Sequence, residues 1–305
     1  MQTATDRTHN WPMRVLEVEQ IDVDLHRSKE LWVPPGARGV FGGQILAQAM
    51  SAMRESVPKT HTCHSLHAYF LTSCNPNRPV VYHVQRNRDG KSIINRDVKA
   101  VQNGQTIFTT KASFHRLEDC VLEHQYEMPE APDPETLPSL TEIIEGRMKS
   151  DKTPKRVKEA LQAAYAENGP IQNVFPIDVR YTPSSSKKNR QVIWMRALGN
   201  WGNDDYVHRC VAAYASDFSP AVLPIKPFDV DFSSPRLQML TSLDHAIWFH
   251  SPFRADDWLL YEMESPRAKN GRGVTFGRIF TKTGDLAMSI AQECLFRIKP
   301  PKAPE

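Results

Sequence analysis

Residues 242–249 read SLDHAIWF, and residues 64–70 read HSLHAYF. Each is a short run mixing apolar and polar residues, with a histidine before an aromatic end, as a half-buried strand would have. The likeness extends along the chain. Val80-Val81-Tyr82 is answered by Leu259-Leu260-Tyr261, and the turn at Asn103-Gly104 by one at Thr283-Gly284. Ala112-Ser113-Phe114 falls near Glu293-Cys294-Leu295, and the offset stays between 178 and about 181 residues throughout. A constant offset across successive landmarks marks an internal duplication, in which His67 matches His245.

Each copy offers one good helix followed by strands. In the first, Ile45, Leu46, Ala49, Met50 and Met53 recur at helical spacing, and Pro58 closes the run. In the second, Val207, Cys210, Val211, Tyr214 and Ala215 do the same, behind Asp204 and Asp205, which suit an N-cap and first turn. Strands are expected at 64–72, 79–88, 92–102 and 105–115, and again at 242–251, 257–265, 272–281 and 286–298, with Gly90, Gly104 and Gly284 at turns. A sheet wrapped around a helix, twice over, gives an α+β fold of two tandem units. Between the copies, EMPEAPDPETLPS (127–139) carries four prolines and reads as a linker. Residues 140–148 and 157–166 read as helical pieces broken near Pro154, and strand-like alternation resumes over 174–181. The expected organisation is an N-terminal unit over 1–116, a connector over 117–170 and a C-terminal unit over 171–305.

Composition excludes several classes. A net charge of +3 on 305 residues does not supply the clustered basic face of a nucleic-acid binder. No apolar run approaches the ~18–20 residues that span a bilayer, so neither a nucleic acid nor a membrane is expected as partner. The start, MQTATDRTHNWPMRV, lacks the apolar core of a secretory signal, and the final KAPE is not a Ser-Lys-Leu type address. An intracellular, cytoplasmic location is expected, with a peroxisomal one left open. The five cysteines, Cys63, Cys74, Cys120, Cys210 and Cys294, form no CxxC pair and argue against a disulfide framework or a structural zinc site. GxSxG, GxxxxGK[ST] and HExxH are all missing. Gly271, Gly273 and Gly277 approximate a dinucleotide fingerprint, but between strands rather than between strand and helix.

What remains are polar residues in apolar settings. Asp217 ends the second helix, where a carboxylate opposes the helix dipole; it reads as a solvated end, a cap, or a base held in place. Ser242 opens an apolar strand, as many structural serines do. Gln292 shares a face with Ile290 and Cys294, and a buried glutamine must satisfy both ends of its amide, so a structural role is equally open. His64, His67, His245 and His250 lack acids or cysteines at ligand spacing, so no metal site is expected. Gly42-Gly43-Gln44 opens the first helix. Free N–H groups there can face a ligand carbonyl, or the glycines can merely permit close packing.

VFGGQILAQAM, HSLHAYFL, RDGKS and VQNGQTIF with ASF resemble the first half of the acyl-CoA thioesterase II family. YASDF, SLDHAIWFHSPFRADDWLLYEMESP, RG and AQE before a terminal strand resemble its second half. The resemblance spans nearly the whole chain outside 117–170. It implies a double hotdog fold, two units side by side that each wrap a sheet around a long helix. It implies hydrolysis of acyl-CoA to free fatty acid and CoA, with no cofactor, by a catalytic set of Asp217, Ser242 and Gln292. Substrate contacts are expected from Gly42, Gly43, Gln44, His67, Asp244 and His245, while the contacts to the CoA phosphates stay unassigned among surface bases such as Arg88, Lys91, Arg267 and Lys269. Hotdog sheets pair edge to edge, so a homodimer or homotetramer is expected. Two alternatives stand beside this reading. A hotdog hydratase or dehydratase pairs an Asp with a His a few residues on, whereas Asp244 and His245 are adjacent. A non-catalytic acyl-CoA binding or sensing protein would be favoured if the three polar residues lay apart.

Overall fold

The computed structural model describes residues 14, 16–34, 37–168, 175–183, 187–232 and 234–300. The helices are α1 (Gly42–Met53), α2 (Leu140–Lys149), α3 (Lys155–Asn168) and α4 (Asp205–Ser216). In α1, residues 43–50 and both Ala52 and Met53 are buried, so the helix is enclosed on all sides, as a helix inside a curved sheet must be. The Asp204 carboxylate caps α4 by accepting from Tyr206 N–H at 3.0 Å.

The two helices lie antiparallel at the centre. The start of α1 meets the end of α4 so closely that a Cβ on Gly43 would stand 2.4 Å from the Tyr214 carbonyl oxygen. At the other end the Tyr206 hydroxyl donates to Met50 O at 2.6 Å. Gly43 is thus required by contact between helices.

Among the described residues thirteen strands surround this pair: β1 (Val18–Asp22), β2 (Leu25–Ser28), β3 (His61–Phe70), β4 (Val81–Asp89), β5 (Ile93–Gln102), β6 (Gln105–Arg116), β7 (Ile177–Tyr181), β8 (Arg190–Ala197), β9 (Leu237–Ser242), β10 (Asp244–Phe249), β11 (Leu259–Lys269), β12 (Arg272–Thr281) and β13 (Leu286–Ile298). They form one antiparallel sheet in the order β1-β2-β4-β5-β6-β3-β10-β13-β12-β11-β8-β7, with β9 also on β13. The two half-sheets meet edge to edge at β3–β10, where Leu66 pairs with Ile247. The quoted segments therefore form the seam between the two halves. This is the expected double hotdog architecture.

Four details differ from the expectation. The match of His67 to His245 is one residue out of register. Tyr69 and Trp248 both point outward, Ala68 and Ile247 both inward, which sets the structural offset at 179; His67 faces outward and His245 inward. A one-residue slip exchanges the faces of a strand. The strand expected over 242–251 is divided, with Ser242 ending β9 rather than opening a strand. Strands β1, β2, β8 and β9 add to those expected. The proline-rich linker is also anchored. The Trp194 indole donates to Pro132 O at 2.8 Å and the Trp258 indole to Glu135 at 2.9 Å, while Met128, Ala131 and Leu137 pack on the outside of the second half-sheet. Among the described residues no helix is long and apolar enough to cross a membrane.

Candidate active site

Asp217 is the C-cap of α4 and is buried. A carboxylate there opposes the dipole of its own helix. The antiparallel arrangement supplies the compensation: the start of α1, a positive end, abuts the same carboxylate. Gly43 N–H donates to Asp217, and a Cβ on Gly42 would stand 2.8 Å from Asp217 Oδ2. Burial nevertheless dominates and pushes the Asp217 carboxyl up to about 7, against the opposing donors Gly43, Gln292 and Ser242.

Ser242 and Gln292 complete a triangle with it. The Ser242 hydroxyl donates to Asp217 Oδ1 at 3.4 Å, and Gln292 Nε2 donates to Ser242 Oγ at 2.7 Å. Gln292 lies inward on β13, as its alternation with Ile290 and Cys294 indicates. Ser242 reaches the same face because it pairs with inward Cys294. Just beyond, Ala246 pairs with Ala291, so residues 243–245 stand against only 292 and 293. This is a bulge. It lets Ser242 and His245, three apart, both face inward, which regular alternation forbids. The Asp244 carboxylate serves the bulge by accepting from Glu293 N–H at 2.6 Å.

Behind the triangle lies a second layer. Gln292 Oε1 meets His245 Nδ1 at 2.5 Å, His245 Nε2 meets Ser216 Oγ at 2.9 Å, and Ser216 Oγ also reaches Ala213 O at 2.9 Å. Tyr261 donates to the Ser216 carbonyl at 3.1 Å. His245 is fully buried, and burial pulls it down to about 4, so the ring is neutral.

The residues expected to contact substrate separate accordingly. Gly42 and Gly43 lie against Asp217. Gln44 does not reach it: its buried amide accepts from Trp32 N–H at 2.8 Å and donates to Glu30 O at 3.0 Å, holding the segment before α1. His67 faces the outside of the sheet, with its ring 5.2 Å from Trp248. Asp244 faces the same side and is occupied at the bulge. His245 has no exposed surface and both nitrogens engaged, so it touches protein rather than substrate. Arg88 and Lys91 belong to the β4–β5 hairpin, Arg267 and Lys269 to the β11–β12 hairpin. In GRGVTFG the glycines serve packing: a Cβ on Gly273 would stand 2.3 Å from Pro224, and one on Gly277 would stand 2.5 Å from Tyr261.

Sequence reasoning missed Ser216, whose role depends on the fold, and the ring cluster beside Asp217. Phe41, Phe175 and Tyr214 stand with centroids 5.1–6.0 Å apart, joined by Trp32 and Phe218. Within it the Tyr214 hydroxyl is buried with no hydrogen-bond partner. The thiol opposite Ser242, Cys294, is pushed up to about 11 by burial and is not a thiolate. Among the described residues no cluster of three or more His, Cys, Asp or Glu could hold a metal ion.

Fold and site together define a double hotdog with a buried acid, hydroxyl and amide brought to one point. Comparison with known proteins supplies the family. The model of the acyl-CoA thioesterase N-terminal domain matches residues 29–115, and that of the C-terminal domain matches 127–296. The chain is 40% identical to acyl-coenzyme A thioesterase 8 of Mus musculus over 287 residues, covering 94% of this chain and 88% of that protein. The crystal structure of an acyl-CoA thioesterase II, TesB2, from Mycobacterium marinum superposes with a TM-score of 0.74 at 32% identity, over 96% of this chain and 100% of the other. A hot dog fold protein from Alicyclobacillus acidocaldarius shares the fold at 16% identity, with a TM-score of 0.71 over 97% of this chain and 99% of the other. The chain belongs to the acyl-CoA thioesterase II family.

Proposed function

We propose that this chain hydrolyses acyl-CoA thioesters by direct attack of a water held at Asp217, Ser242 and Gln292. The observation that carries the reading is the convergence of these three side chains, from α4, β9 and β13, at 3.4 and 2.7 Å. Asp217 takes a proton from the water as its oxygen bonds to the thioester carbonyl carbon. The C–S bond then breaks, CoA thiolate leaves, and the proton on Asp217 returns to the products. A carboxyl near 7 suits this task, since it is ionised at working pH and still basic enough to accept a proton. Ser242 and Gln292 hold the attacking water and the carboxylate in register. The α1 start, with Gly42, offers backbone N–H to the developing oxyanion. Direct water attack fits the lack of a thiolate beside Ser242.

The sensing alternative would be favoured by three residues lying apart, and they are in contact. The adjacent Asp244 and His245 point to opposite faces of β10, which disfavours the hydratase pairing. Exposed Tyr69, Trp248 and Phe276 on the outer face support self-association as a homodimer or homotetramer, to be read by light scattering. The test of the activity is CoA release, followed with a thiol reagent, over short, medium and long acyl-CoAs. Turnover collapses in a folded Asp217→Ala variant on this reading. Undiminished release from that variant rules out Asp217 as the base, and binding without release from any substrate returns the sensing alternative.

A further inference from the structure

A glutamine amide is nearly symmetric in shape, and packing alone does not choose between its two orientations. The chemistry at Asp217 does depend on the choice. With Nε2 toward Ser242, the amide donates, and the single hydroxyl hydrogen of Ser242 remains available for Asp217. With the amide reversed, Oε1 takes that hydrogen, and Asp217 loses both Ser242 and Gln292 as donors. Something must therefore fix the amide from behind.

His245 is the group in contact with the other end. Its Nδ1 lies 2.5 Å from Gln292 Oε1, which can only accept, so this nitrogen must carry the hydrogen. Nε2 must then accept, and the Ser216 hydroxyl 2.9 Å away donates to it by turning its one hydrogen from the Ala213 carbonyl, which it also reaches at 2.9 Å. The neutral ring has one hydrogen to place, and the network places it on Nδ1. The duplication supplies an internal comparison. At the structural offset of 179, the inward residue matching His245 is Leu66, and its cross-strand partner in β6 is Ala112 rather than a glutamine. The half that lacks the amide has no histidine behind it, so packing at this position does not call for an imidazole.

We infer that His245 is a positioning residue whose Nδ1–H locks the Gln292 amide in the orientation that leaves Ser242 and Gln292 as donors to Asp217. This rests on the hydrolytic reading above. His245 acts through Gln292 and never meets the substrate, so its loss acts on kcat and leaves KM nearly unchanged.

Three substitutions test it. Asparagine carries its amide nitrogen close to the position of Nδ1, glutamine reaches that of Nε2, and leucine offers neither. His245→Gln and His245→Leu are expected to lower kcat by roughly 10–100-fold, the scale of a small misplacement at a reacting centre. His245→Asn should retain activity within about fivefold, an estimate from the retained donor contact. In the His245→Leu/Gln292→Ala double variant, kcat should match that of Gln292→Ala alone, since coupled residues are not additive. Wild-type kcat in His245→Leu, equal losses in the asparagine and leucine variants, or additive losses in the double variant would overturn the assignment. The wild-type protein provides a measurement independent of variant folding. Imidazole nitrogen NMR should show hydrogen on Nδ1, and hydrogen on Nε2 alone overturns the assignment. Asp217→Ala is run beside these variants. If it remains active, the hydrolytic reading has failed, whereas loss in Asp217→Ala with full activity in His245→Leu removes only the positioning role.

Discussion

Asp217 should make the protein less stable as it becomes more active. Burial raises its carboxyl from an ordinary 3.8 to about 7. Below the lower value the group is neutral in both folded and unfolded chains and costs nothing. As pH rises, the unfolded chain releases the proton first, so the stability contributed by the protonated folded form is lost progressively until pH passes about 7. At about 1.4 kcal/mol per tenfold change in proton affinity, the full penalty is about 4 kcal/mol. Between pH 5 and pH 8.5 the wild type should lose about 3 kcal/mol relative to Asp217→Ala. The comparison is a difference of differences, so hydrogen bonds lost in the variant cancel, as do groups that titrate alike in both proteins. Urea unfolding of the two proteins across this range reads it directly. The same carboxylate should govern kcat/KM, which is expected to rise about tenfold per pH unit below about 7 and then level off. A stability difference that stays constant within 1 kcal/mol, or a flat activity profile, would refute the argument that a buried ionised carboxylate does the work.

Other substitutions probe the frame around the site. Gly43→Ala should destabilise by about 1–3 kcal/mol and lower turnover, because the new methyl must push apart two helix backbones; a melting curve like that of the wild type contradicts the 2.4 Å clearance. Arg96 is fully buried and donates to Ser56 O at 2.7 Å, Asn95 O at 2.9 Å and Arg88 O at 3.0 Å, so Arg96→Met should cost about 3 kcal/mol in urea unfolding through the three carbonyls that lose this donor. Tyr214→Phe removes a buried hydroxyl that has no partner; stability should hold or rise by about 1 kcal/mol, and a loss of that size would show that the hydroxyl is bonded.

The helices, the repeat and the inward face of Gln292 were legible in the sequence because each follows from one local period. Strand β8 was not. The linker covers the outer face at Trp194, so the middle of the strand, Val192 to Met195, is apolar on both sides and has no alternation to read. The site was legible only in part, for the same reason. Ser242 and His245 are three residues apart, and a period of two assigns them to opposite faces; the bulge at 243–245 that unites them depends on how β9 and β10 share β13. Matching His67 to His245 followed residue identity, whereas the pleat follows position, and one residue of slip sent one histidine outward and the other behind Gln292. Asp217 shows most directly what a sequence alone withholds. Read along its own helix it stands at the unfavourable end, where a carboxylate is more often a solvated terminus than a base. The compensating positive end belongs to a helix in the other half of the chain, 163 residues away by the matched starts of Gly42 and Asp205. The duplication therefore gives the site its acid from one copy and the helix end that receives it from the other, which a single unit could not supply.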